Sequence, residues 1–176
     1  MNEVRKYLRE EKEKMNGRKI SLLAVFIGLS VVGASIKLPA IIGSVALDAF
    51  PALLAAVFFG GGAGAIVGGF GHMMSALLGG MPMGPLHFIV AAEMAILAYV
   101  FSLTWRKKWV ASSIFVIGNG LIAPLPFILF FDVAFYLALV PSLLIGAIIN
   151  TAVALVLIPR LQSFFQGAYH KGAVKG

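Results

Sequence analysis

Long apolar runs, separated by short polar or Gly/Pro-rich breaks, fill this chain from about residue 20 to residue 158. The first, 20–36, is long enough at a helical rise of ~1.5 Å per residue to cross most of a bilayer. The second, 48–59, is short for a crossing and is expected to be tilted or partial. A tight turn at 60–64 leads into a third run that ends near Leu78. After a Gly/Pro turn at 79–85 come a fourth run, 86–105, a fifth, 109–130, and a sixth, 133–158, closing before Pro159. These runs predict an all-α integral membrane protein with six transmembrane helices. Residues 1–19 form a charged N-terminal segment, 20–160 the membrane domain and 161–176 a polar, basic tail.

The breaks carry information of their own. Residues 37–45 (KLPAIIGSV) read as a loop punctuated by Pro39 and Gly43. Its apolar middle, Ile41 and Ile42, needs something to bury against. Gly60, Gly64 and Gly68 recur every four residues and lead to His72, with Gly61, Ala65 and Gly69 as a second row. Such rows make a smooth helix face for close packing in lipid. The same glycines resemble a phosphate-binding loop, but no Lys-Ser/Thr follows them. Ala24 and Gly28 form a small pair on the first run, open to two uses: packing inside the chain, or a face for another subunit. In the fifth run Gly118, Gly120, Pro124 and Pro126 predict a kink or break, whose freed carbonyls are expected to face a cavity.

Composition agrees with the runs. Of 176 residues, 60% are hydrophobic and 12% charged, against about 25% charged in soluble domains. Mean hydropathy is +0.98. The net charge of +7 invites a nucleic-acid reading. The basic residues instead sit at the ends of apolar runs, where they set orientation. Seven Lys/Arg lie in the first 19 residues, three at 106–108, three from Arg160 onward, and only Lys37 on the opposite side. Both termini are therefore expected in the cytoplasm. Glu10, Glu11 and Glu13 ahead of the first run argue for an uncleaved span rather than a signal peptide. There is no cysteine, hence no disulfide and no thiolate metal site.

Ionisable groups inside apolar runs are expensive and by default mark a site. Here they are Asp48, His72, His87 and Glu93, with Asn119 as a polar companion. Chain order places Asp48 and His87 near the outer surface, His72 in the outer half, and Glu93 and Asn119 near mid-membrane. Asn150 falls closer to the cytoplasm and reads as a helix-packing residue. Asp48 is open to a second role, since Asp is a good helix N-cap and Pro51 follows in the first turn. A metal site is disfavoured: no His-x-x-x-His pair exists, and the groups come from separate helices. Ser75 lies near His72 but has no nucleophile elbow. No inverted repeat supports a proton-coupled carrier working alone. A pocket for a small polar molecule with an aromatic part fits best, needing no cofactor.

The six-span size, the basic ends, the Asp-led short helix, FFGGGAGAIVGGFGHMMSALLGG and the Gly/Pro turn before the fourth run together resemble a known family. It is that of the substrate-binding S components of energy-coupling factor (ECF) vitamin transporters. SIKLPAIIGSVALDAFPALLAA and GGMPMGPLHFIVAAEMAI look most like the α-ribazole transporters, which import a nucleoside precursor of the lower ligand of cobalamin. The resemblance implies a non-enzymatic subunit of the bacterial plasma membrane that binds a vitamin precursor from outside. It implies a gating loop between the first two spans, here Lys37, Pro39, Ile41 and Ile42. It also implies docking on a transmembrane coupling protein that carries two cytoplasmic ATPases. Family members dock through small residues on the first span. Ala24 and Gly28 match, but Val32 stands where a third small residue belongs. Two other readings stay open: an S component for a different vitamin, and a small membrane enzyme acting on a lipid.

Overall fold

The computed structural model describes the backbone of residues 2–39 and 44–173, and the side chains of residues 17, 19–36 and 46–162. Helix α2 (Phe50–Phe59) is apolar on every side, and a helix of that kind must be surrounded. It is: Pro51 to Ala56 are all buried, with Ala52 and Leu53 fully so. Around it pack α1 (Asn2–Ser35), α3 (Gly61–Leu78), α4 (His87–Thr104) and α6 (Val133–Ala173). The core they share contains Phe26, Leu53, Leu54, Val67, Met94 and Phe101.

Gly60 alone separates α2 from α3, so the expected turn at 60–64 shrinks to one residue. Its φ of 93° and ψ of 171° lie where almost only glycine goes. The glycine rows of α3 meet three neighbours. A Cβ on Gly64 would lie 2.5 Å from the Ala56 Cβ on α2. One on Gly68 would lie 2.8 Å from the Met94 carbonyl oxygen on α4, and one on Gly71 2.8 Å from Ser30 on α1. Backbone approach of this kind is how helices associate where lipid offers no hydrophobic drive.

The segment after α1 is not the plain loop expected. Strands β1 (Lys37–Pro39) and β2 (Ser44–Ala46) pair antiparallel, Lys37 opposite Ala46 and Pro39 opposite Ser44. The hairpin is anchored where Leu47 N–H donates to the Gly33 carbonyl at 3.1 Å. Any Cβ on Gly33 would collide with the Leu47 carbonyl oxygen.

Short 3-10 turns at Gly84–Leu86 and Trp105–Lys107 lead into α4 and α5 (Lys108–Ile117). The expected break in the fifth run appears as a π turn, Gly118–Ile122, followed by a 3-10 turn, Leu125–Leu129. An open cavity is lined in part by Ile117 and Ile122 at this break, while two of its carbonyls are taken up by the protein. Gly118 O accepts from Ala123 N–H at 2.7 Å, and Leu121 O accepts from the Tyr136 hydroxyl at 3.2 Å. Helix α6 opens with Asp132 Oδ1 accepting from Phe135 N–H at 2.7 Å. It then continues through both Pro141 and Pro159 instead of stopping before Pro159. A proline removes one helical hydrogen bond, and packing on both sides carries the helix past it.

Among the described residues, three stretches are long and apolar enough to cross a bilayer: Gly61–Leu78, Gly84–Leu129 and Val133–Gln162. Lys19–Ser35 and Phe50–Phe59 are shorter apolar helices. Large apolar side chains face outward on almost every helix, among them Val25, Val32, Phe70, Phe88, Ile96, Leu137 and Ile148. So broad an apolar exterior is that of a membrane protein.

Candidate functional site

The site begins at the junction of the hairpin with α2. Asp48 precedes α2 but does not cap it: the residue at the cap is Ala49, and no side chain of the chain's own start binds the helix N-terminus. The Asp48 carboxylate turns to α3 instead, with Oδ2 3.8 Å from His72 Nδ1. His72 Nε2 lies 3.2 Å from His87 Nδ1, and Met83 N–H donates to His87 Nε2 at 3.4 Å. The two rings face each other with centroids 5.4 Å apart.

For two neutral imidazoles this chain of contacts selects one pair of tautomers. A neutral imidazole has one donor and one acceptor nitrogen. Since His87 Nε2 accepts from the Met83 amide, its proton is on Nδ1. That Nδ1–H donates to His72 Nε2, which leaves the His72 proton on Nδ1, aimed at Asp48. The turn before α4 sets the first link. Gly80 and Gly84 have positive φ, as does Met81 at 46°, and these bends bring the Met83 amide onto the His87 ring.

Glu93 sits about two turns beyond His87 on α4, half-buried, with Oε2 buried and without a hydrogen-bond partner among the described residues. Asn119 lies in the π turn, half-buried, and its side chain makes no hydrogen bond among the described residues. The fold thus joins Asp48, His72 and His87 directly and leaves Glu93 and Asn119 with unused hydrogen-bonding capacity. Ser75 is spent locally, its hydroxyl donating to Gly71 O at 2.8 Å. Among the described residues, no three His, Asp or Glu side chains are grouped to hold a metal ion.

Of the gating-loop residues, Lys37 and Pro39 lie in β1, while Ile41 and Ile42 fall outside the described residues. Asp48 and His72 are 20% and 17% exposed, while His87 is buried. Two open cavities, of about 500 and 420 Å³, lie elsewhere, one lined by Leu103, Arg106 and Lys107 and the other by Trp109, Ile114 and Ile122. Ala24 and Gly28 are exposed on the outer side of α1, and a Cβ on Gly28 would meet nothing within 4 Å.

The sequence places Asn150 closer to the cytoplasm than Asp48 and gives it a helix-packing role. The structure puts the two side by side. Asn150 Oδ1 accepts from Ala49 N–H and Phe50 N–H at 3.0 and 2.9 Å. Its Nδ2 donates to Ala46 O and Gly146 O at 2.9 and 3.0 Å. The ten residues of α2 make only ~15 Å of helix, about half a crossing, so position along the chain is a poor guide to what meets its N-terminus. The signal that was there to use is a single amide inside a long apolar helix, which must find partners.

The model of the ECF transporter substrate-specific component family matches residues 18–170. Comparison with curated proteins and with solved structures gives no match. That family consists of membrane subunits that bind a small-molecule substrate and work with a membrane module bearing ATPases. A match over so much of the sequence, on a helical fold with a lipid-facing exterior, decides the matter: the chain belongs to the ECF transporter substrate-specific components, and is a transport subunit rather than an enzyme.

Proposed function

We propose that this S component captures a vitamin precursor from outside the bacterial cell, and that the solute is α-ribazole. In this account six helices cross the plasma membrane and both termini are cytoplasmic. The concentration of Lys and Arg in the first 19 residues, at 106–108 and from Arg160 onward supports that orientation.

The observation that carries the proposal is the polar cluster: Asp48, His72 and His87 in series, with Glu93 holding a buried carboxylate oxygen that no group among the described residues satisfies. An unpaired buried acceptor is costly, and a solute hydroxyl relieves that cost. The ribose hydroxyls of α-ribazole suit Glu93 and Asn119. Its flat dimethylbenzimidazole suits apolar walls, with a ring nitrogen for the histidine chain. The segment carrying Lys37, Pro39, Ile41 and Ile42 gates entry to the cluster. The exposed row at Ala24 and Gly28 then docks the loaded subunit on the transmembrane coupling protein, whose two ATPases drive release inward.

Equilibrium titration of the purified protein with α-ribazole tests this. Wild type binds one solute per chain. Glu93→Gln and Asp48→Asn each weaken binding roughly 10- to 100-fold, as expected for losing a charge-assisted hydrogen bond worth about 1.5–3 kcal/mol. Unchanged affinity in both variants removes the site. Absence of wild-type binding removes α-ribazole as the solute.

A further inference from the structure

We infer that Asn150 is a positioning residue: its amide clamps the backbone on both sides of Asp48 and so sets where that carboxylate stands relative to His72. The inference rests on the proposal that Asp48 contacts substrate.

Consider what holds Asp48 in place. It lies on a non-helical link between β2 and α2, where nothing in the local chain fixes its direction. Ala46 O, two residues before it, accepts from Asn150 Nδ2. Ala49 N–H and Phe50 N–H, the two residues after it, donate to Asn150 Oδ1. Leu47 N–H donates to Gly33 O. One side chain on α6 therefore brackets Asp48, and α1 supplies the remaining tie.

The chemistry selects asparagine. Its amide has two N–H donors and an oxygen with two lone pairs, and all four are used here. The orientation is fixed as well, since turning the amide over would set donors against donors. Aspartate would keep the acceptors for α2 and lose both donors. Leucine would keep the volume and leave the first N–H groups of a buried helix without a partner. Asn150 is only 3% exposed, so water cannot substitute. The α2 N-terminus, which its own preceding residues leave uncapped, is thus capped from about a hundred residues away along the chain.

The clamp also reaches the hairpin. Ala46 is the last residue of β2, so the same amide that positions Asp48 ties the base of the hairpin to α6.

The test is amide hydrogen exchange on the full, substrate-free chain in nanodiscs, resolved at Ala49 and Phe50, in wild type, Asn150→Leu and Asn150→Asp. Exchange at both amides rises at least tenfold in Asn150→Leu, while α3 and α4 keep wild-type rates. Asn150→Asp, which retains the acceptor, restores slow exchange. Unchanged exchange in Asn150→Leu overturns the inference, as does equal acceleration in α3 and α4, which marks a general loss of stability. A second arm measures α-ribazole affinity in a double-mutant cycle. Acting through Asp48, Asn150→Leu weakens binding in the wild-type background and adds nothing in Asp48→Asn; equal losses in both backgrounds contradict positioning. If wild type does not bind α-ribazole, the solute assignment fails, and the exchange arm alone decides the clamp.

Discussion

His72 and His87 show how much one hydrogen bond from the backbone can decide. With both rings neutral, the Met83 amide sets the proton on His87, His87 sets it on His72, and the His72 N–H then faces Asp48 at 3.8 Å. The sequence could nominate these three side chains because charge and polarity inside apolar runs are costly. It could not show them gathered in a row, since the position of His87 depends on the bend at Gly80, Met81 and Gly84. The glycines of α3 divide in the same way. Their spacing advertised a close-packed face, but not which helix each one meets. Gly68→Val, which drives a side chain into the Met94 carbonyl, is expected to lower stability by about 1–3 kcal/mol, read from a shifted thermal or denaturant midpoint. Gly28→Val has open space around it and should stay within about 0.5 kcal/mol of wild type.

Helix α2 is the element on which both the fold and the site turn. Its apolar run and its opening proline were plain in the sequence, and its brevity was noticed. What that brevity means was not legible. A half-length helix needs its N-terminus satisfied inside the protein, and the partner lies on α6, far away in the chain. Local patterning carries no trace of such a contact beyond the isolated amide. The Gly60 junction is likewise a matter of one backbone conformation. Gly60→Ala is expected to cost about 1–3 kcal/mol, because its φ and ψ suit almost no residue with a Cβ. A thermal-shift assay checks this, and an unshifted midpoint would mean that the α2–α3 corner relaxes to an ordinary conformation. The end of α6 was misplaced for a related reason. Proline signals a helix stop locally, and tertiary packing overrides it at Pro159.

For the molecule as a whole, hydropathy was the strongest signal, and the apolar exterior agrees with it. Orientation rests on the basic residues and is open to direct test. The chain has no cysteine, so single cysteines at Lys107 and at Leu129 report cleanly on sidedness. The proposed orientation has an impermeant thiol reagent label the second but not the first in intact cells; the reverse pattern inverts it. The exposed row on α1 makes a separate prediction. Gly28→Leu should leave solute affinity unchanged and reduce co-purification with the coupling protein, because the added side chain lies on the outer face and away from the site. These properties meet in one experiment: native mass spectrometry of gently purified wild type, Asp48→Asn and Glu93→Gln, with the bound small molecule identified. The account predicts one heterocyclic vitamin precursor per wild-type chain, with α-ribazole expected, and its loss from both variants. A solute retained equally by all three proteins, or a bound lipid in its place, would contradict it.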